Sequence, residues 1–135
     1  MPSSSWALQK ALHAQLITDA ALNAVLGAPR IYDDVPRQPT FPYVTYGGST
    51  VRDWSTGTDD GHEHAITLHA WSRGAGRKPT HELLGALEAA LDQQPLALDG
   101  HRLISIRHEF SDVRREADGE TWHGILRLRA VTEAL

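Results

Sequence analysis

Residues 101–134 read HRLISIRHEFSDVRREADGETWHGILRLRAVTEA, and the reading of this stretch decides the fold. Two long segments, 101–117 and 120–133, are rich in β-branched and apolar residues and meet at Asp118-Gly119. An Asp-Gly pair between such segments is the strongest short hairpin signal, because both residues tolerate the positive φ that a tight primed turn requires. A two-residue loop pairs Glu116 with Thr121 and continues in step. That register puts Ile104, Ile106, His108, Phe110 and Asp112 on one face, against Glu133, Val131, Arg129, Arg127 and Ile125. Arg107, Glu109 and Ser111 then share the other face with Ala130, Leu128 and Leu126. Neither face is cleanly apolar, and a single bulge would shift the register.

Working back toward the N-terminus, Pro79-Thr80 opens a helix whose Leu83, Leu84, Leu87 and Leu91 form one stripe. Before it lies a basic, glycine-bearing loop over 72–78. His64–Trp71 is a strand with His64, Ile66, Leu68 and Ala70 on one face and Ala65, Thr67, His69 and Trp71 on the other. Ser55–Gly61 is a polar loop, and 43–54 is the strand before it, with a bulge or bend expected at Gly47-Gly48. Prolines 36, 39 and 42 make 34–42 extended, and Ile31-Tyr32-Asp33 is a short apolar element. Residues 4–17 form a helix on the Leu8, Leu12, Leu16 spacing, followed by a break and a short helix that Asp19 caps and Gly27 ends. The order is α-α-β-β-β-α-β-β: an α+β fold, a mainly antiparallel sheet with helices on one face, in a single domain over 1–135.

A chain of 135 residues buries roughly two-thirds of its unfolded surface and can hold a core without staples. It has no cysteine, which removes disulfides and thiolate chemistry and fits a reducing compartment. Thirteen basic against seventeen acidic residues give a net charge of −4, the wrong sign for a general nucleic-acid binder. No stretch has the length and apolarity of a membrane span, and Met1–Ser5 lacks the pattern of a secretory signal, so the expectation is a cytoplasmic product with no membrane partner.

Sites of chemistry are sparse. His62-Glu63-His64 places two imidazoles on one face of a strand with His69 on the other, short of the three or four convergent ligands that zinc requires. His81-Glu82 falls in the first turn of the second long helix, where Glu suits the helix dipole. Asp33-Asp34 and Asp59-Asp60 suit turns better than metals. There is no nucleophile elbow, phosphate loop or dinucleotide fingerprint. These features predict neither catalytic residues, nor a metal, nor a cofactor. Charged and aromatic residues are the better candidates, as a protein interface: Trp54, Asp59, Asp60, Trp71, Arg73, Arg77, Lys78, Arg127 and Arg129. Trp54 and Trp71 are expected to meet across the hairpin at the base of the 55–61 loop.

Asp19-Ala20-Ala21-Leu22 with Gly27, then Ile31–Pro36 and Pro42-Tyr43-Val44, begin an ordered set of short motifs. Asp53–Thr56, Leu68–Arg73, Gly76-Arg77, Asp118-Gly119, His123-Gly124 and Arg127–Ala130 continue it. Together they resemble phage tail terminator (tail-completion) proteins of siphophages, prophages and gene transfer agents, whose fold is like that of the lambda tail terminator. The resemblance spans nearly the whole chain. It implies a structural virion protein, not an enzyme. It further implies a homo-oligomer, a hexameric ring at the tail-neck junction that caps the tail tube, ends its polymerisation and meets a head-tail connector or stopper. DNA would pass through the ring without specific binding. Another tail tube or connector subunit, or a small metal-binding α+β enzyme using His62 and His64, are the other readings of the same residues.

Overall fold

The computed structural model describes residues 3–74 and 76–135. Ala75 of the basic loop, and Met1 and Pro2 of the N-terminal segment, lie outside the described residues. The elements are α1 (Ser4–Ile17), α2 (Ala20–Leu26), β1 (Ile31–Tyr32), β2 (Tyr43–Asp53), β3 (Gly61–Arg73), α3 (Lys78–Leu91), β4 (Ala97–Leu98), β5 (His101–Arg115) and β6 (Thr121–Ala134). They build an α+β domain around one sheet in the order β1-β2-β3-β6-β5-β4. All pairings are antiparallel except β1 with β2. β3 and β5 therefore run parallel with β6 between them, and α3 is the crossover that joins them.

Local chemistry sets the helix ends. The Ser3 side chain accepts from Trp6 N–H, and Asp19 accepts from Leu22 N–H. Gly27 closes α2 at φ 82°, a left-handed conformation that a side chain would strain. Lys78, not Pro79, is the first residue of α3, so Glu82 lies beyond the first turn. It faces Lys78 one turn back, at 3.8 Å, instead of supporting the helix dipole.

The helices cover one face of the sheet. Ile66, Leu68 and Ala70 of β3 and Leu126, Leu128 and Ala130 of β6 point at them, and Leu83, Leu84, Leu87 and Leu91 of α3 meet this row from the helix side. Gly124 lies on the same row, between Ala70 and Val113. A Cβ there would come within 2.9 Å of Thr80 Cγ2 and 3.0 Å of Leu84 Cγ, so this glycine lets α3 approach the sheet.

The expected hairpin register holds from Arg115 opposite Trp122 to Phe110 opposite Arg127. It then slips by one residue at Glu109 and again at Ile104. The slips correct the predicted faces. Val113, Ile106 and Leu103 all turn to the helices, while Ile104 and Phe110 stay exposed on the other side. The first slip has a visible cause: the Asp92 carboxylate accepts from His108 N–H at 2.7 Å, and Gln93 N–H donates to the Ile106 carbonyl at 2.8 Å. The end of α3 thus grips the strand edge. The bulge expected at Gly47-Gly48 is present, between Tyr46 and Ser49. β4, two residues long, was not foreseen.

His64 is buried under α1 and its Nε2 meets Thr132 Oγ1 at 2.9 Å. Burial, with smaller contributions from His62 and His101, pushes its pKa down to about 4. The unfolded chain protonates this ring near its ordinary value of about 6.5, so acid favours the unfolded state between those two values. We expect thermal stability to be flat above pH 6.5 and to fall as pH drops toward 4, with a shallower fall in His64→Gln. Gly124→Ala should cost about 1–3 kcal/mol in chemical denaturation. Gly48→Ala, with open space at its Cβ, should be near neutral.

Candidate interaction surface

The face turned away from the helices is a broad, mixed surface. At one end, Trp71 lies opposite both Tyr43 and His123. Its ring stacks on His123 at 4.0 Å between centroids and on Tyr43 at 6.2 Å, and its Nε1 donates to Thr45 Oγ1. His123 Nδ1 is 2.8 Å from Glu116 Oε1, and its Nε2 is 2.6 Å from His69 Nδ1. Glu116, His123 and His69 thus form one continuous hydrogen-bonded chain across the face. Burial and the neighbouring His123 hold the His69 pKa below the usual imidazole range. Gly47 makes room for this ring: a Cβ there would fall 2.4 Å from His69 Nε2. Arg73 lies over Phe41 at 4.3 Å, completing an aromatic end that is held together internally.

The middle of the face carries Arg127 over Phe110, 5.5 Å from its centroid, beside the Arg114–Asp112 pair. At the far end Arg129 bonds Glu63 and lies over Trp54 at 5.2 Å, while Arg52 reaches the same carboxylate from the other side. Arg102 pairs with Glu133 on this end. Glu63, Asp112 and Glu133 engage four of these arginines, and Arg127 rests on a ring instead, so the positive charge of the face is neutralised in part.

The structure separates the residues expected to act together. Trp54 N–H donates to the Gly61 carbonyl at one end of β3, and Trp71 lies near the other end. The two tryptophans therefore do not meet, because strands of 11 and 13 residues intervene. Asp59 and Asp60 sit with Trp54. Thr56 Oγ1 accepts from Asp59 N–H, and the Asp60 carbonyl accepts from Ala134 N–H, which ties this loop to the end of β6. Arg77, at the opposite end, stacks on the buried Trp122, whose other partner is Arg115. Trp122 Nε1 donates to the Gly74 carbonyl, so this cluster anchors the loop before α3. Lys78 turns to Glu82. His62 and His64 do share a face, but they engage Ser4 and Thr132, and among the described residues no group of three metal-ligating side chains forms.

Other exposed residues escaped the sequence reading. Trp6 and Ile17 of α1, with His13, Ala14 and Tyr46, line a groove of about 460 Å³ beside the β2 edge. The signal was present: α1 carries Trp6, Ala14 and Ile17 on the side opposite Leu8, Leu12 and Leu16, so it is apolar on two faces. Val51 and Phe110 are also close to half exposed.

The family model described as tail completion protein gp17 matches residues 10–133. This chain belongs to the tail completion protein gp17 family. A relative, tail completion protein gp17 of Bacillus phage SPP1, is 25% identical over 126 residues, covering 93% of this chain and 92% of its own length. A chain of the virion of the native gene transfer agent particle is 30% identical, with a TM-score of 0.90 over 99% of this chain and all of the other. The structure of bacteriophage SPP1 gp17 shares the fold at 24% identity and a TM-score of 0.63, over 94% of this chain and 89% of its own. The tail-completion family is one of structural phage tail proteins, and the uncovered sheet face of this member is built of residues suited to protein contact.

The two separated tryptophans should behave differently. Trp71→Ala removes a stacked, hydrogen-bonded ring and should cost about 2–4 kcal/mol of unfolding free energy. Trp54→Ala removes a half-exposed ring and should change stability by less than about 1 kcal/mol. Urea titration of the two variants measures both.

Proposed function

We propose that this tail completion protein forms a ring, a hexamer, on the finished tail tube at the tail-neck junction. The ring ends tube polymerisation and offers the surface that a head-tail connector or stopper meets. It is a structural subunit without catalytic residues or cofactor. The observation that carries this reading is the near-complete match in fold to a chain of a gene transfer agent virion, within a tail-completion family. The ion pairs of the sheet face fit it too. Glu63, Asp112 and Glu133 offset part of the arginine charge that would otherwise hold DNA passing through such a ring.

The 55–61 loop, with Asp59 and Asp60, is the element we assign to docking on an adjacent ring. Its polar turn is closed internally, by Asp53 with Ser55 and by Thr56 with Asp59, and leaves Asp59 and Asp60 exposed. A connector or tube subunit would differ in copy number: a terminator occurs as one ring per particle, and a tube subunit repeats along the tail.

Particles made without this chain should show tails of uncontrolled length and heads lacking tails by negative-stain imaging. Normal tail lengths and intact joining would overturn the reading. Deletion of 56–59, which spares the Asp60 carbonyl bonded to Ala134, should leave a folded chain that fails to cap tubes; normal capping would remove the loop's role.

A further inference from the structure

We propose that copies of this chain join edge to edge, the free edge of β5 in one copy adding as a strand to the free edge of β2 in the next. The inference rests on the ring reading above and names the surface through which its subunits meet.

Both edges are open in a single copy. Thr50 and Arg52 lie opposite Ala65 and Glu63, and Trp54 N–H bonds Gly61. The two-residue period of a strand then turns the backbone groups of Ser49, Val51 and Asp53 away from β3. β1 covers only Val44 and Thr45 on that side. On the other edge, Glu116 N–H bonds Thr121, so Ser111, Val113 and Arg115 turn away from β6. β4 covers only His101 and Arg102, and the end of α3 covers Ile106 and His108. Long unpaired edges invite strand addition, and natural sheets usually blunt or cover them.

The two edges fit one another. β2 and β5 run in opposite directions across the intervening antiparallel strands, so repeating the chain sideways brings them together as an antiparallel pair. The short strands stand at opposite ends of the sheet and leave complementary windows. Setting Val51 opposite Val113 fills both windows and matches side chains on both faces. Arg52 then faces Asp112, and Trp54 faces Phe110. These are an opposite-charge pair and an aromatic pair, each favourable across strands. Val51, Trp54 and Phe110 are among the most exposed large hydrophobic residues of the single copy, and this one contact covers all three. The groove of α1 lined by Trp6, Gln9 and His13 borders the same edge, on the side where the inner side chains of the added strand descend.

The offset between the windows is what closure requires. Val51 is level with Ala130 of β6 and Val113 with Gly124, six residues further along that strand. Six residues span about 20 Å, and four strands are about 19 Å wide. Each copy therefore steps along the strands by about as much as it steps across them. Strands inclined at roughly 45° to the ring axis absorb that step, close to the tilt of about 35–45° found in closed barrels. A head-to-tail contact of this kind closes into a ring when the rotation allows it.

Because the chain has no cysteine, the test is clean. The double variant Arg52→Cys, Asp112→Cys places the pair at a non-hydrogen-bonded position of the new ladder, where Cα atoms about 4.5 Å apart permit a disulfide. Oxidation of particles carrying it, and of the purified chain at high concentration, should give a ladder of covalent oligomers on non-reducing gels, whereas either single variant gives none. Val51→Pro and Val113→Pro remove outward N–H groups that, among the described residues of one copy, face away from the neighbouring strand. Each should leave a folded monomer, by circular dichroism, that no longer assembles. Rings that form with these proline variants and without cross-linking would overturn the edge contact while leaving the ring reading in place. A single copy per particle would overturn both.

Discussion

One-sided burial is the constraint from which the rest of this structure follows. Three helices are enough to cover one face of the sheet and not the other. The period of two in β3 and β6 sends Ile66, Leu68, Ala70, Leu126, Leu128 and Ala130 to the covered side without exception. At about 25 cal/mol per Å² of buried apolar surface, this row with the four leucines of α3 is the principal favourable term in folding. Gly124 sets the depth of the contact by letting Thr80 and Leu84 sit directly on β6. Everything on the odd-numbered side of β3 and β6 has to be stabilised by other means. The chain does so by stacking Trp71 on His123 and Tyr43, and by pairing arginines with carboxylates.

Features set by neighbours in the chain were legible in the sequence. Asp19 and Gly27 bound α2 because a side-chain cap and a left-handed residue are local requirements, and Gly119, at φ 76°, closes the hairpin for the same reason. It does so in a turn over Glu116–Gly119 and not the two-residue loop expected, because Gly119 N–H donates to the Glu116 carbonyl. Asp118 itself accepts from Glu120, Thr121 N–H and Thr121 Oγ1, which holds its carboxyl down at about 2. The bulge at Glu109 was not legible. No glycine marks it, and its cause is a grip by Asp92 and Gln93, which are distant in the chain. The error over the tryptophans was of another kind. The 55–61 loop already placed Trp54 at the start of the hairpin, and counting outward along two long strands sends Trp71 to the far end. All nine residues offered as an interface are exposed or partly exposed, but they fall into three separate regions. The groove on α1 was missed because a helix with two apolar sides was read only for the side that forms the core.

The charge balance also changes meaning once the side chains are placed. A net charge of −4 argues against a nucleic-acid binder only on average. The arginines do gather on one face, which alone would suggest the contrary. Their partners decide the matter: Glu63 serves both Arg52 and Arg129, and Asp112, Glu120 and Glu133 each hold another arginine. Pairs of this kind at an exposed surface contribute little to stability, about 0–1 kcal/mol each. Their consequence is a face whose positive charge is reduced but not cancelled, since Glu63 is shared by two arginines and Arg127 rests on Phe110.

Bulges and short edge strands are common means of keeping sheets from joining. Here both devices are present, and neither covers the whole edge. β1 and the Gly47-Gly48 bulge disrupt the first part of β2, and β4, the α3 terminus and the Glu109 bulge occupy the first part of β5. What remains free on each side is a run of regular strand, Ser49–Asp53 and Phe110–Arg115. Protection against indiscriminate pairing would have no reason to stop at nearly the same strand length on both edges. A device that permits pairing in one register would. On that view the bulges do not defend the edges but delimit them. The slip at Glu109, which looks like a defect when the hairpin is considered alone, turns Ile106 to the helices while Phe110 keeps the uncovered face, where the strand of a neighbouring copy can present Trp54.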